Sequence, residues 1–256
     1  MGIADLAVAK QENAFELILD FKYPLMQEFR EKCPGSFKHS QSLASIIEAV
    51  SLALNLNVDF MRVAAQYHDV GKIFNSKFFS ENQLEGENPH DELDPKISYE
   101  IITRHVSDSV MVLLNDHNFP RDLIEVISQH HGTTVLRYFF SKFGGGAEES
   151  QYRYKCTRPQ AVESMVLMVC DQVEATSKSL VQAGKFNPTD VIERTLSGLL
   201  NDGQFDAVHI KLGDVKKIKL TLAKELEGLY QKRVDYNGDE DSKVNTKEDQ
   251  SVQRDL

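Results

Sequence analysis

Five of the eight histidines in this 256-residue chain stand where side chains from separate segments could join in one site. His39 lies at an expected helix start, His68-Asp69 closes a helix ahead of Val70-Gly71-Lys72, His105 lies inside a helix, and His130-His131 close another. Asp171 falls in the most apolar segment of the chain, between Val169-Cys170 and Val173. A single histidine on an apolar face is ordinarily a satisfied core residue. A carboxylate among Met and Val is costly unless opposite charge surrounds it, and for Asp171 alone a structural arginine explains that as well as a metal does. The set as a whole is more telling. Imidazole and carboxylate together suit first-row ions such as Fe, Mn, Co or Zn. Seven ligands (His39, His68, Asp69, His105, His130, His131 and Asp171) exceed what one ion takes, and they suffice for two ions if one carboxylate bridges. Asp69 is the natural bridge, because its neighbour His68 is also a candidate. Two ions about 4 Å apart hold a hydroxide between them and clamp an in-line displacement at phosphorus. His117 and His209 show no such pattern and are expected at the surface, and His90 in Asn88-Pro89-His90-Asp91 also lacks it.

The elements that must bring these residues together read as helices almost throughout, because apolar residues recur at helical spacing. Helices are expected over 3–21 and 22–32, with a turn at Cys33-Pro34-Gly35-Ser36. Leu43, Ile46, Ile47, Val50 and Leu54 mark the face of the next helix. Another covers 58–70. Residues 71–96, with Gly71, Gly86, Pro89 and Pro95 and little apolar content, read as a long loop of the kind that is often functional. Helices follow over 98–115, from Pro120 to His131, over 159–180, 188–201 and 212–233. Gly144-Gly145-Gly146-Ala147-Glu148-Glu149-Ser150 reads as a mobile linker. The expected class is all-α, with no convincing strand. The expected division is a helical N-terminal extension over 1–22, one domain over 23–236, and a disordered tail over 237–256 that is almost free of apolar residues.

Composition narrows the function classes. The net charge of −10 argues against a broad surface for long nucleic acid, which needs clustered Lys and Arg. A small anionic substrate fits, because a metal site supplies its own positive charge. Three scattered cysteines, Cys33, Cys156 and Cys170, form neither a disulfide framework nor a CxxC zinc pair, and a reducing cytosol is the expected setting. No run of about 18 apolar residues is long enough to span a membrane, and the N-terminal residues carry no secretory pattern.

The ordered residues resemble a known family. His39, then His68-Asp69-Val70-Gly71-Lys72, then Asp171 reproduce the H…HD…D signature of the HD-domain phosphohydrolases, and His105 with His130-His131 is similar to the binuclear branch. Pro34-Gly35-Ser36-Phe37-Lys38-His39-Ser40, Glu81-Asn82-Gln83, Asn88-Pro89-His90-Asp91 and His130-His131-Gly132-Thr133 resemble the PgpH-type cyclic di-AMP phosphodiesterases. Arg158-Pro159-Gln160, Asp171-Gln172-Val173-Glu174-Ala175 and Asp202-Gly203-Gln204 continue the likeness, which covers roughly residues 20–236. Enzymes acting on cyclic di-GMP would show Gly-Tyr-Pro after the paired histidines, where this chain has Gly132-Thr133-Thr134. Lys155-Cys156-Thr157 departs from the more usual Pro-Gly-containing stretch. Members of the type carry membrane helices ahead of this domain; a stand-alone chain and an excised domain both fit the sequence.

The resemblance implies an HD-domain helical bundle with a binuclear centre. One ion would be held by His39, His68, Asp69 and Asp171, the other by Asp69, His105, His130 and His131, with Fe or Mn expected. It implies hydrolysis of cyclic di-AMP to linear pApA by a hydroxide bridging the ions. Lys72 is expected to meet a phosphate oxygen, and Asn82 and Asn88 to contact substrate or to order His90 near the site. Two rival readings stand: an HD phosphohydrolase acting on another cyclic dinucleotide or small phosphoester, and a non-catalytic nucleotide sensor.

Overall fold

The computed structural model describes residues 14–83, 88–143 and 148–240. Residues 14–19 are helical and precede nine longer helices among the described residues. These are α1 (Pro24–Lys32), α2 (Pro34–Leu54), α3 (Val58–Tyr67), α4 (Pro95–Leu114), α5 (Arg121–Ser128), α6 (Arg137–Phe143), α7 (Val162–Gln182), α8 (Pro188–Asn201) and α9 (Leu212–Glu240). The described residues form no strand; a single antiparallel bridge joins Val135 to Arg153. The all-α expectation therefore holds.

The boundaries follow local chemistry. Pro24, Pro34, Pro95 and Pro188 each occupy the first turn of a helix, where the missing N–H costs nothing. Asn57, Asp94 and Asn187 cap α3, α4 and α8 by accepting hydrogen bonds from first-turn amides. Asn55 ends α2 in the left-handed conformation at φ 57°. Helix α7 is buried nearly all round from Ser164 to Asp171, as an axial core helix must be. Around it pack α2, α3, α5, α8 and α9, with Leu43, Ile47, Met61, Val63, Leu167, Leu222 and Leu226 sealed in the interior.

Several expected boundaries need correction. The turn foreseen at 33–36 shrinks to Cys33, since Pro34 opens α2 directly. Within the expected loop 71–96, the described residues form short 3₁₀ turns at Val70–Phe74, Ser76–Phe78, Ser80–Asn82 and Pro89–Glu92, and Pro95 already opens α4. Helix α6 lies where no helix was expected. The last helix runs to Glu240, past the expected end at 233 and into the segment assigned to the tail. The N-terminal half of the 3–21 helix, residues 144–147 of the linker and the tail beyond 240 lie outside the described residues.

Candidate metal centre

Four of the five candidate histidine ligands are each aimed by their own Nδ1. His68, at the end of α3, sets Nδ1 at 2.8 Å from the Ala65 carbonyl, three residues earlier. His105 in α4 does the same to Ile102 at 2.6 Å, and His130 after α5 to Ile127 at 2.6 Å. His39, in the second turn of α2, sets Nδ1 at 2.5 Å from Glu174 Oε2 on α7. With Nδ1 donating, the free Nε2 lone pair is the tautomer a metal needs. His131 is held differently, stacked on Tyr154 with ring centroids 4.2 Å apart.

The Nε2 atoms converge on two carboxylates. Asp171 Oδ1 lies 2.9 Å from His39 Nε2 and 3.6 Å from His68 Nε2. Asp69 faces both ways: Oδ2 is 3.2 Å from His68 Nε2, and Oδ1 is 3.3 Å from His105 Nε2 and 3.9 Å from His130 Nε2. The ligand atoms form two groups, each with all members within 4.8 Å of one another. One group is His39, His68 and Asp69; the other is Asp69, His105, His130 and His131. Asp69 belongs to both, as a bridging carboxylate must.

This donor set fits divalent metal. His68 Nε2 and Asp69 Oδ1 are buried without any hydrogen-bond partner, which would be costly unless another group satisfied them. The metal-free charges tell the same story. Burial disfavours a charged His39, yet Asp171 and Glu174 outweigh it and hold its pKa at about 9. Burial likewise opposes charge on His68, but Asp69 and Asp171 raise it to about 10. Asp69 and Asp171, though buried, are held well below the usual carboxylate range, Asp69 by His68 and Lys72, Asp171 by His39 and His68. His130, buried beside His68 and His105, is pushed down to about 3. Protons on His39 and His68 thus stand in for cations that the carboxylates demand.

Three devices hold the ligand-bearing segments together. Gly71 presses onto α4, where an added Cβ would meet His105 O at 2.2 Å and Ser109 N at 2.3 Å. Its amide donates to Ser109 Oγ, which donates to His68 O, so the turn bearing Asp69 is keyed to the helix bearing His105. At Gly35 a Cβ would stand 1.8 Å from Glu81 O. There Asn82 Oδ1 accepts from the Gly35 and Ser36 amides and Nδ2 donates to Ser36 Oγ, capping the helix that carries His39. Thr133, just past the paired histidines, is gripped on three atoms. Gln204 Oε1 accepts from its amide, Arg153 donates to its carbonyl, and Arg158 and Gln204 Nε2 donate to its hydroxyl. The stretches Arg158-Pro159-Gln160 and Asp202-Gly203-Gln204 therefore secure the segment that carries the second ligand group.

The seven expected ligands all meet at this centre. Lys72 lines the same cavity, with Nζ 2.7 Å from both Asp69 Oδ2 and Glu81 Oε1. Asn82 caps α2, and Asn88 accepts from the His90 amide, in line with the expected alternative that it orders His90. His90 is buried between Phe78 and Phe139, and His117 and His209 are exposed. Glu174, Glu81 and Gln204 were quoted in the motifs without a role. The signal for Glu174 was its place one helical turn after Asp171, on the same buried face.

The family model described as "HD domain" matches residues 36–176. A curated relative, the cyclic-di-AMP phosphodiesterase PgpH of Listeria monocytogenes, is 36% identical over 86% of this chain, which spans only 31% of that relative's length. The crystal structure of the L. monocytogenes PgpH HD domain superposes with a TM-score of 0.75 at 36% identity, over 82% of this chain and 100% of that one. The same domain in complex with cyclic-di-AMP gives 0.74 at 34% identity, over 81% and 97%.

Proposed function

The chain belongs to the HD domain family, and from that premise we propose that it is a metal-dependent phosphodiesterase hydrolysing cyclic di-AMP to linear pApA. The observation that carries the reading is Asp69, whose two oxygens face separate histidine groups at one cavity of about 700 Å³. His39, His68, Asp69 and Asp171 would hold one divalent ion; Asp69, His105, His130 and His131 would hold the other. Fe or Mn suits this imidazole and carboxylate set. When bound, such a pair lowers the pKa of coordinated water and neutralises charge developing on the phosphoryl oxygens.

The chain's own residues have distinct tasks in this proposal. Glu174 keeps the His39 Nδ1 proton in place and so fixes the ring. Lys72, anchored between Asp69 and Glu81, presents positive charge to a phosphate at the cavity wall. Phe79, Ile102, Leu136 and Tyr154 line the cavity with apolar surface suited to purine faces. The substrate follows from the relatives: one is a cyclic-di-AMP phosphodiesterase, and the similar HD domain forms a complex with that dinucleotide. Free thiols at Cys33, Cys156 and Cys170 accord with a cytosolic setting. No helix among the described residues is long and apolar enough to cross a membrane.

The test is metal analysis of the purified chain together with product analysis on cyclic di-AMP, cyclic di-GMP, pApA and AMP in the presence of Mn²⁺. Two ions per chain and conversion of cyclic di-AMP to pApA are expected. Preferential hydrolysis of a mononucleotide, or a single ion per chain, would overturn the proposal.

A further inference from the structure

The cavity extends beyond the metal ligands along one face of α7. Ala175, Lys178, Ser179 and Gln182 line it in succession after Asp171 and Glu174. Lys178 follows Asp171 by seven residues, two helical turns, and so projects from the same face about 10 Å further along the axis. Lys72 and Lys178 are the two lysines that line the cavity. Their situations differ. Lys72 is fixed by two carboxylates at 2.7 Å, whereas Lys178 has no ion-pair partner among the described residues.

The lack of a partner has a structural cause. A glutamate four residues ahead of a lysine on a helix ordinarily pairs with it, and Glu174 holds that position. Its oxygens are engaged elsewhere, by His39 Nδ1 at 2.5 Å and the Tyr230 hydroxyl at 3.3 Å. Lys178, half-buried, is left without that partner at the cavity wall, two helical turns along α7 from Asp171.

We propose that Lys178 binds the second phosphate of a cyclic dinucleotide, the one that is not cleaved, while the first lies at the metal centre. This rests on the proposed function, since a ligand with one phosphate would leave the Lys178 end empty. Lys178 is then a specificity residue: it favours a two-phosphate ring over a simple phosphodiester, and it acts on binding rather than on the chemical step. Ser179, exposed on the same face, adds a hydroxyl within the same strip.

The experiment compares the full chain loaded with Mn²⁺ with Lys178→Ala and Lys178→Arg, on cyclic di-AMP and on bis(p-nitrophenyl) phosphate, a diester with a single phosphate. For Lys178→Ala, KM for cyclic di-AMP should rise about tenfold, as expected on losing one charge-assisted contact. The turnover number should change much less, KM for the one-phosphate diester should shift far less, and Lys178→Arg should restore the difference. An equal KM shift on both substrates, or none on cyclic di-AMP, overturns the assignment while leaving the proposed function intact. A wild type that cleaves the one-phosphate diester but neither cleaves nor is inhibited by cyclic di-AMP overturns the proposed function, and this inference with it.

Discussion

Gly71→Ala should dismantle half of the metal centre without touching a ligand. The added methyl would stand 2.2 Å from His105 O and 2.3 Å from Ser109 N. The nearest contact falls more than an ångström short of ordinary van der Waals separation, and both obstructing atoms are backbone, so no rotamer change relieves it. The turn bearing His68 and Asp69 must therefore lift from α4. Overpacking of this kind costs roughly 1–3 kcal/mol, and the rigid neighbours place this case at the upper end. At this chain length that is a fall in Tm of roughly 5–10 °C. The consequence for metal is sharper, because ligand distances tolerate only about 0.2 Å and Asp69 would move relative to His105 and His130. Metal analysis should find the second ion depleted, and calorimetry should find the lowered Tm. The control is Gly198→Ala in α8, where an added Cβ meets nothing within 4 Å; it should be neutral or stabilise by up to about 1 kcal/mol. Two ions per chain and an unchanged Tm in Gly71→Ala would refute the keyed-turn argument.

Four further outcomes are open to measurement. Asp69→Ala should abolish activity and deplete both ions, since one carboxylate serves both groups; retention of two ions per chain would contradict the bridging assignment. Glu174→Gln should weaken metal binding about 10–100-fold by loosening His39, read by chelator competition, and an unchanged affinity would count against it. In metal-free protein, His39 and His68 are raised to about 9 and 10, so their stabilisation is complete below about pH 6.5 and is lost as pH rises through those values. Thermal melts in chelator should thus weaken from pH 7 to 10, while Mn²⁺-loaded protein, whose ligating imidazoles are already neutral, should not follow; parallel curves would refute this. Lys72→Ala should lower turnover while keeping both ions, and loss of metal there would assign Lys72 to structure instead.

The sequence was most legible where a residue's type alone dictates its task. Pro120 marked a helix start that the structure places one residue later, at Arg121, whereas Pro95, read as part of the loop, opens α4. The candidate ligands were legible because imidazole and carboxylate have few other reasons to recur beside apolar faces. What stayed hidden depends on contacts distant in sequence. Asn82 looked like a loop residue free to meet substrate, because nothing near it in sequence indicates that its amide caps a helix beginning 48 residues earlier, at Pro34. Helix α6 is seven residues long, rich in aromatics, and held by packing rather than by propensity. The 3₁₀ turns of 70–92 lack an apolar period, since glycine contacts and side-chain caps shape them instead.

The way the rings are aimed carries an implication for tolerance to change. His68, His105 and His130 each steer by a carbonyl three residues back in their own chain, so the steering survives almost any alteration of neighbouring side chains. His39 steers by a single carboxylate borrowed from another helix. Sequence drift should therefore be asymmetric across the centre, forgiving around the three self-steered rings and strict at position 174. A variant lacking a carboxylate there would be a first suspect for having lost one ion while still folding normally.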